Sequence, residues 1–302
     1  MEKPLPLFRL PRLAIEEVIS TMTPFEIINF SMTSLKIKYF IKCFLRTSRN
    51  SQYTLIVDTS EEPTVSIIIG SEIHFEFKVA SYKTMNRQIE YKNDFENRTS
   101  WKYEVFWISS ENVIDEWMTL VKIVNEVFKF EAHTVIFDID QFPMRNKDIV
   151  DFIKCQIPSI DSCEFQGKAG ADEDVEYFLN NLNVTEIVGF DLKLSDRFTF
   201  PHDNYVECFN IDPANWLTFD KLLRLKGSEF YIHGSPLTNQ ELNLFLFLWM
   251  TSQCHQNLGS NNKTISLIGG INIKRNDGMT GTINFDRRLD KMLLKMVVSR
   301  IE

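Results

Sequence analysis

The chain has 302 residues, of which 44% are hydrophobic, 13% aromatic and 25% charged, with 11 Gly and 10 Pro. That balance excludes a disordered or fibrous polypeptide, and the length, about twice that of a typical domain, predicts two domains or one small module attached to a larger one. The net charge is −8, yet residues 1–49 hold eight Lys/Arg against four Glu, so a basic N-terminal module precedes an acidic body unsuited to nucleic acid.

The opening stretch MEKPLPLFRLPRL is broken by prolines and arginines and lacks the apolar core of a signal peptide, which predicts a cytoplasmic or nuclear protein. Leu10-Pro11 then introduces apolar residues at Leu13, Val18, Ile19 and Met22, a pattern that predicts a first helix over Pro11–Ser20 with proline at its first position. Thr23-Pro24-Phe25-Glu26 supplies a second helix start: Thr23 and Glu26 form a capping box, and Met22 and Ile27 have staple spacing. After a break at Ser31–Ser34, Leu35–Leu45 carries apolar residues at helical spacing with lysines between them. Three helices in about 36 residues cannot bury this apolar surface among themselves, so a partner is implied.

The string L-P-x-L-A-x-E-E-V-I-x-x-M-x-P-F-E-I-I-N-F-S-x-T-S resembles an F-box, in the form found in the large nematode families of F-box proteins, and the likeness spans roughly Pro4 to Phe44. The resemblance implies that residues 4–45 dock onto a Skp-family adaptor, itself bound to a cullin. It assigns the contact to Leu10, Pro11, Leu13, Val18, Ile19, Met22, Pro24, Ile27 and Ile28, some of which would instead hold the three helices together.

From Tyr53 to about Phe106 the reading is β-rich, with strands at Tyr53–Val57, Val65–Ile69, Ile73–Val79 and Tyr103–Trp107; strict alternation gives the third one wet face. Over Glu111–Phe130 the period changes, and Val113, Trp117, Leu120, Val121, Val124, Val127 and Phe128 mark one face of a long amphipathic helix. Strands and helices then alternate: Thr134–Asp138, Lys147–Cys155, Ser162–Phe165, Asp172–Asn181, Glu186–Phe190, Val206–Phe209, Trp216–Leu225, Glu229–Ile232, Thr238–Met250 and Thr264–Ile268. Irregular spacing of strands with helices between them predicts βα repeats of leucine-rich-repeat type. Thr218 and Thr238 each begin a helix with a capping threonine and a hydrophobic staple, and Thr238 also has Glu241 for a capping box.

Asn215–Leu223 (NWLTFDKLL) and Ser235–Met250 (SPLTNQELNLFLFLWM) resemble the type 2 F-box-associated domain of nematode F-box proteins, over about residues 184–270. Phe247 stands where that family usually has lysine, and Thr251–Gly259 lacks its usual pattern. The predicted fold class is therefore α+β or α/β: a three-helix F-box at 4–45, then a substrate-recognition region at 50–302 made of a β-rich segment and the irregular βα region.

Signals for chemistry are sparse. Val135–Phe142, an apolar strand ending in Asp138-x-Asp140, resembles the first motif of haloacid-dehalogenase-type phosphotransferases, but Phe142 replaces the expected threonine and no later metal motif follows. His74, His133, His202, His233 and His255 lie far apart, and Cys43, Cys155, Cys163, Cys208 and Cys254 are widely spaced, so no metal or cofactor site is expected and the thiols read as reduced and mostly buried. The most apolar run, Leu244–Met250, is too short to span a bilayer. Four sequons, at Asn29, Asn97, Asn183 and Asn262, matter only in the secretory pathway. Ile268-Gly269-Gly270 reads as a turn, and most of Trp101, Trp107, Trp117, Trp216 and Trp249 read as core. The predicted function is a non-enzymatic adaptor of an SCF-type ubiquitin ligase, with an unknown protein target and no nucleic-acid or membrane partner. The alternatives are a phosphohydrolase centred on Asp138 and Asp140, or a non-degradative scaffold.

Overall fold

The computed structural model describes residues 10–47, 53–70, 73–81, 86–94, 99–170, 172–201, 205–251, 271–274, 279–288 and 291–300. The expected strand at Thr264–Ile268, the Ile268-Gly269-Gly270 turn, His202, His255, Cys254, the sequons at Asn97 and Asn262, and the first residues of the F-box likeness lie outside them. Three N-terminal helices precede mixed β-sheet with interspersed helices, an α/β arrangement that divides into two units, 1–133 and 134–302.

In the first unit α1 (Arg12–Ser20), α2 (Pro24–Met32) and α3 (Leu35–Thr47) lead into β1 (Tyr53–Asp58), β2 (Thr64–Ile69), β3 (Ile73–Ala80), β4 (Asn86–Asp94), β5 (Thr99–Ser109) and α4 (Val113–Val127). The strand order is β1-β2-β3-β5-β4, antiparallel except for the parallel β3/β5 pair. Helix α4 packs on β2 and β3. Of its expected apolar face, Trp117, Leu120, Val121, Val124, Val127 and Phe128 are buried, joined by Ile114. The indole Nε1 of Trp117 donates to the carbonyl of Thr64 at 3.0 Å, so the bulkiest ring in this core also meets its one polar requirement. The wet face expected of β3 is only partly wet: Glu76 is buried beside the ammonium of Lys78, which lies over the Trp107 ring.

The three helices are not left to themselves. Phe25 of α2 meets the rings of Phe75 and Phe77 edge-on, at centroid distances of 5.5 and 4.7 Å, and α2 and α3 both contact α4. The chain therefore covers part of the apolar surface for which a partner was inferred. Lys38 of α3 and Glu126 of α4 form an ion pair that holds the Glu126 carboxyl below its ordinary range, chiefly through the hydrogen bond from the ammonium.

The second unit begins within β6 (Ala132–Asp138) and continues through α5 (Asn146–Gln156), β7 (Ile160–Ala169), α6 (Asp172–Asn181), β8 (Val184–Lys193), β9 (Cys208–Ile211), α7 (Phe219–Arg224), β10 (Glu229–His233), α8 (Asn239–Met250), β11 (Ile271–Lys274), β12 (Met279–Arg288) and β13 (Lys291–Arg300). Strands β6 to β10 lie side by side in chain order and all parallel; β13, β12 and β11 follow antiparallel. Because right-handed crossovers that advance in one direction place every helix on the same side, the sheet has a helix face and an opposite face. On the helix face the register forms two apolar rows, Val135–Cys163–Val188–Phe209–Phe230 and Phe137–Phe165–Phe190–Ile211–Ile232, all buried. Phe178 of α6 packs on Phe137 and Phe165 at 5.3 and 4.9 Å.

Several expected boundaries move. Strand β9 starts at Cys208 rather than Val206, because the Val206 N–H is spent on the carbonyl of Lys226. Helix α7 is shorter than Trp216–Leu225, and Thr218 makes no side-chain cap although it precedes the first turn. Three residues on, Lys221 offers no carboxylate to reciprocate, and its ammonium donates instead to the carbonyls of Asp196 and Trp216. Thr238 and Glu241 do form the capping box, which holds the Glu241 carboxyl below its ordinary range. Trp107, Trp117, Trp216 and Trp249 are buried.

Candidate partner-binding surface

The local chemistry of the N-terminal helices follows the sequence closely. Pro11 occupies the cap position rather than the first helical position, and its carbonyl accepts the N–H groups of Ala14 and Ile15 at 3.0 and 3.2 Å. Pro24 sits in the first turn of α2, where a missing N–H costs nothing, and the Thr23–Glu26 box closes with Glu26 accepting the Thr23 N–H at 2.8 Å.

Burial then sorts the residues singled out from sequence into two groups. Ile19, Pro24, Ile27 and Ile28 are buried within the unit. Leu10 and Met22 are half-buried, and Pro11, Leu13 and Val18 are exposed, Leu13 at 79% of its surface. Three further exposed apolar side chains stand on these helices and were not singled out: Met32, Leu35 (85% exposed) and Tyr39. The spacing of Leu35 and Tyr39, four residues apart on α3, was the available signal; Ile41 and Leu45, offset from them on the same helix, face inward. Five of the ten exposed large apolar side chains among the described residues thus fall between positions 13 and 39. Isolated exposed leucines are ordinary, whereas several on one small helical module make a candidate interaction surface.

A groove of about 310 Å³ lies between α1 and α3, lined by Arg12, Glu16, Lys36, Tyr39, Phe40 and Phe44. Arg12 and Glu16 pair across one turn at 2.7 Å on its lip. The Tyr39 hydroxyl is hydrogen-bonded with Cys43, which raises its pKa. The groove thus offers an apolar floor with a mixed-charge rim.

The Asp138-x-Asp140 string has a structural use. Asp138 Oδ1 accepts the N–H of Asp140 at 3.0 Å, and Asp140 Oδ2 accepts the N–H of Lys168 at 2.7 Å, so the two carboxylates tie the turn after β6 to the end of β7. Asn146, buried nearby, donates to the carbonyl of Ile139 and to Asp174. Among the described residues no group of three or more His, Cys, Asp or Glu is placed to hold a metal ion, and no helix is long and apolar enough to cross a membrane. Cys163 is buried, which pushes its thiol pKa well up, and Cys208 is half-buried. Cys43 and Cys155, expected to be buried, are exposed because they fall on the outward faces of α3 and α5.

Residues 201–260 match a protein family described as F-box associated, and the match falls inside the 184–270 stretch that bears the resemblance in sequence. Within it lie β9, α7, β10 and α8. The chain is also 22% identical to the Skn-1 dependent zygotic transcript 15 protein of Caenorhabditis elegans, in an alignment 270 positions long that covers 81% of this chain and 75% of that relative.

Proposed function

We propose that the chain is a substrate-recognition adaptor of a cullin-RING ubiquitin ligase. In this reading residues 4–45 are an F-box that binds a Skp-family adaptor joined to a cullin, and residues 50–302 hold a protein target. The observation that carries it is the exposed apolar surface of α1–α3, in a chain whose residues 201–260 match the F-box-associated family. Leu10, Pro11, Leu13, Val18 and Met22, joined by the exposed Leu35 and Tyr39, make the adaptor contact, while Ile19, Pro24, Ile27 and Ile28 shape the helices from inside.

No residue of the chain performs chemistry. Holding the target beside the ubiquitin carrier raises the effective concentration of its lysines, and fixed geometry supplies the rate. The chain-ordered parallel strands β6–β10 support a βα solenoid of leucine-rich-repeat type, whose stacked strands form one continuous surface. The adaptor works in the cytoplasm or nucleus and needs no cofactor.

The test is co-capture of a recombinant Skp-family adaptor and cullin by the full chain, beside a Leu10→Ala/Pro11→Ala variant whose fold is checked by circular dichroism. Capture by the intact chain and its loss in the folded variant is the expected result. No capture by the intact chain rejects the reading.

A further inference from the structure

Parallel sheets are ordinarily covered on both faces. In the second unit the face turned away from the helices instead carries the rows Thr134–Ser162–Ile187–Cys208–Glu229 and Ile136–Glu164–Gly189–Asn210–Tyr231. Glu164, Asp191 and Asn210 are exposed there, and Ile187 is 42% exposed in the middle of the strands. Two adjoining depressions of about 440 and 560 Å³ share Ile187 and Asn210. Gly189 sits at the centre of the larger one, and the missing side chain opens the floor between Glu164 and Asn210.

The described charges lining the two depressions have one sign. Glu164, Glu186, Asp191, Glu207, Asp212 and Glu229 line the two depressions, and no Lys or Arg is among the described residues lining them. Gln166 donates to Glu164 at 3.2 Å, the Tyr231 hydroxyl donates to Glu229 at 3.3 Å and His233 pairs with Asp212 at 2.8 Å, which holds three of the six carboxylates in place. Lys193 at the end of β8 bounds the acidic stretch.

We propose that this open face of β7–β10 is the target-docking surface and takes an extended protein segment carrying closely spaced lysine or arginine side chains, a proposal that rests on the adaptor reading only in calling that segment a target. The long stems of Lys and Arg fit the apolar floor of Ile187, Cys208 and Tyr231 while their cationic ends reach the carboxylates. Nucleic-acid phosphates are repelled by the same groups.

The experiment selects from a library of degenerate ten-residue peptides with the immobilised full chain, then measures the enriched peptide by fluorescence anisotropy. Enrichment of Lys or Arg is expected. Affinity should fall by roughly tenfold or more in Glu164→Gln/Asp191→Asn/Glu229→Gln, and hold in the control Glu173→Gln/Asp196→Asn/Asp220→Asn, which removes as many carboxylates elsewhere. Ile187→Lys, which plants a cation on the floor of the face, should abolish binding with the thermal midpoint retained. No enrichment of basic residues, unchanged affinity in the first variant, or an equal loss in the control overturns the proposal. Capture of the Skp-family adaptor is read on the same proteins. Its absence beside intact peptide binding contradicts the adaptor reading and supports the face.

Discussion

Helices α1–α3 and helices α5–α6 are built from similar amphipathic sequence but spend their apolar residues differently. Helices α5 and α6 turn Ile149, Val150, Ile153, Val175, Phe178 and Leu179 into the core and face water with Lys147, Asp148, Asp151, Lys154 and Glu173. Helices α1–α3 bury Ile15, Ile19, Ile27, Ile28, Ile41 and Leu45, yet still present Leu13, Met32, Leu35 and Tyr39 to solvent. The second pattern costs solubility and adds no internal packing, and the proposed adaptor contact is what would cover it.

The comparison sharpens most at Phe25, which locks α2 onto the β3 rings. Phe25→Ala should lower stability by about 3–5 kcal/mol in chemical denaturation, whereas Leu13→Ala or Leu35→Ala should shift it by less than about 0.5 kcal/mol. An equal loss from Leu35→Ala would mean that the exposed set belongs to the fold after all. Next in size is Gly227→Ala, within the residues that match the F-box-associated family. A Cβ there would stand 2.7 Å from the carbonyl oxygen of Val206 and 3.0 Å from the Phe209 ring, and such overpacking should cost about 1–3 kcal/mol, read as a lowered thermal midpoint.

Smaller still are the caps, where the structure separates two threonines of like sequence. Thr238→Ala should cost about 1 kcal/mol through its lost box, and Thr218→Ala only about 0.3 kcal/mol. Denaturation curves with the two effects reversed would refute the assigned bonds.

The last effect expected is electrostatic. Glu126 has a depressed folded pKa, so the Lys38 pair adds stability that is present above the ordinary carboxylate range and is lost as pH falls through the folded value. Because the pair is partly exposed, Glu126→Gln should cost less than about 1 kcal/mol at pH 7. Thermal midpoints of the two proteins should converge in strong acid, and a gap that widens there would contradict the assignment.

Much of this was legible in the sequence because the signals were local. Thr23, Pro24 and Glu26 fix where α2 begins, and the Trp117–Val124 spacing fixes which face of α4 turns inward. Strand β4 escaped because NRQIEYKND offers no apolar alternation at the edge position it occupies. The β12–β13 hairpin escaped because its place beside β10 is a long-range pairing that no local motif announces. For the partner surface, the F-box resemblance singled out Leu13 and Ile19 alike. Only the folded structure shows that Ile19 is covered and Leu13 is not.

The most direct measurement is calorimetric titration of a purified Skp-family adaptor into the full chain and into its Leu13→Ala/Leu35→Ala/Tyr39→Ala variant, with thermal unfolding recorded for both. The account expects binding by the intact chain and at least a hundredfold weaker binding by the variant, about 2.7 kcal/mol, at an unchanged midpoint. Full-strength binding by the variant, or none by the intact chain, would contradict it.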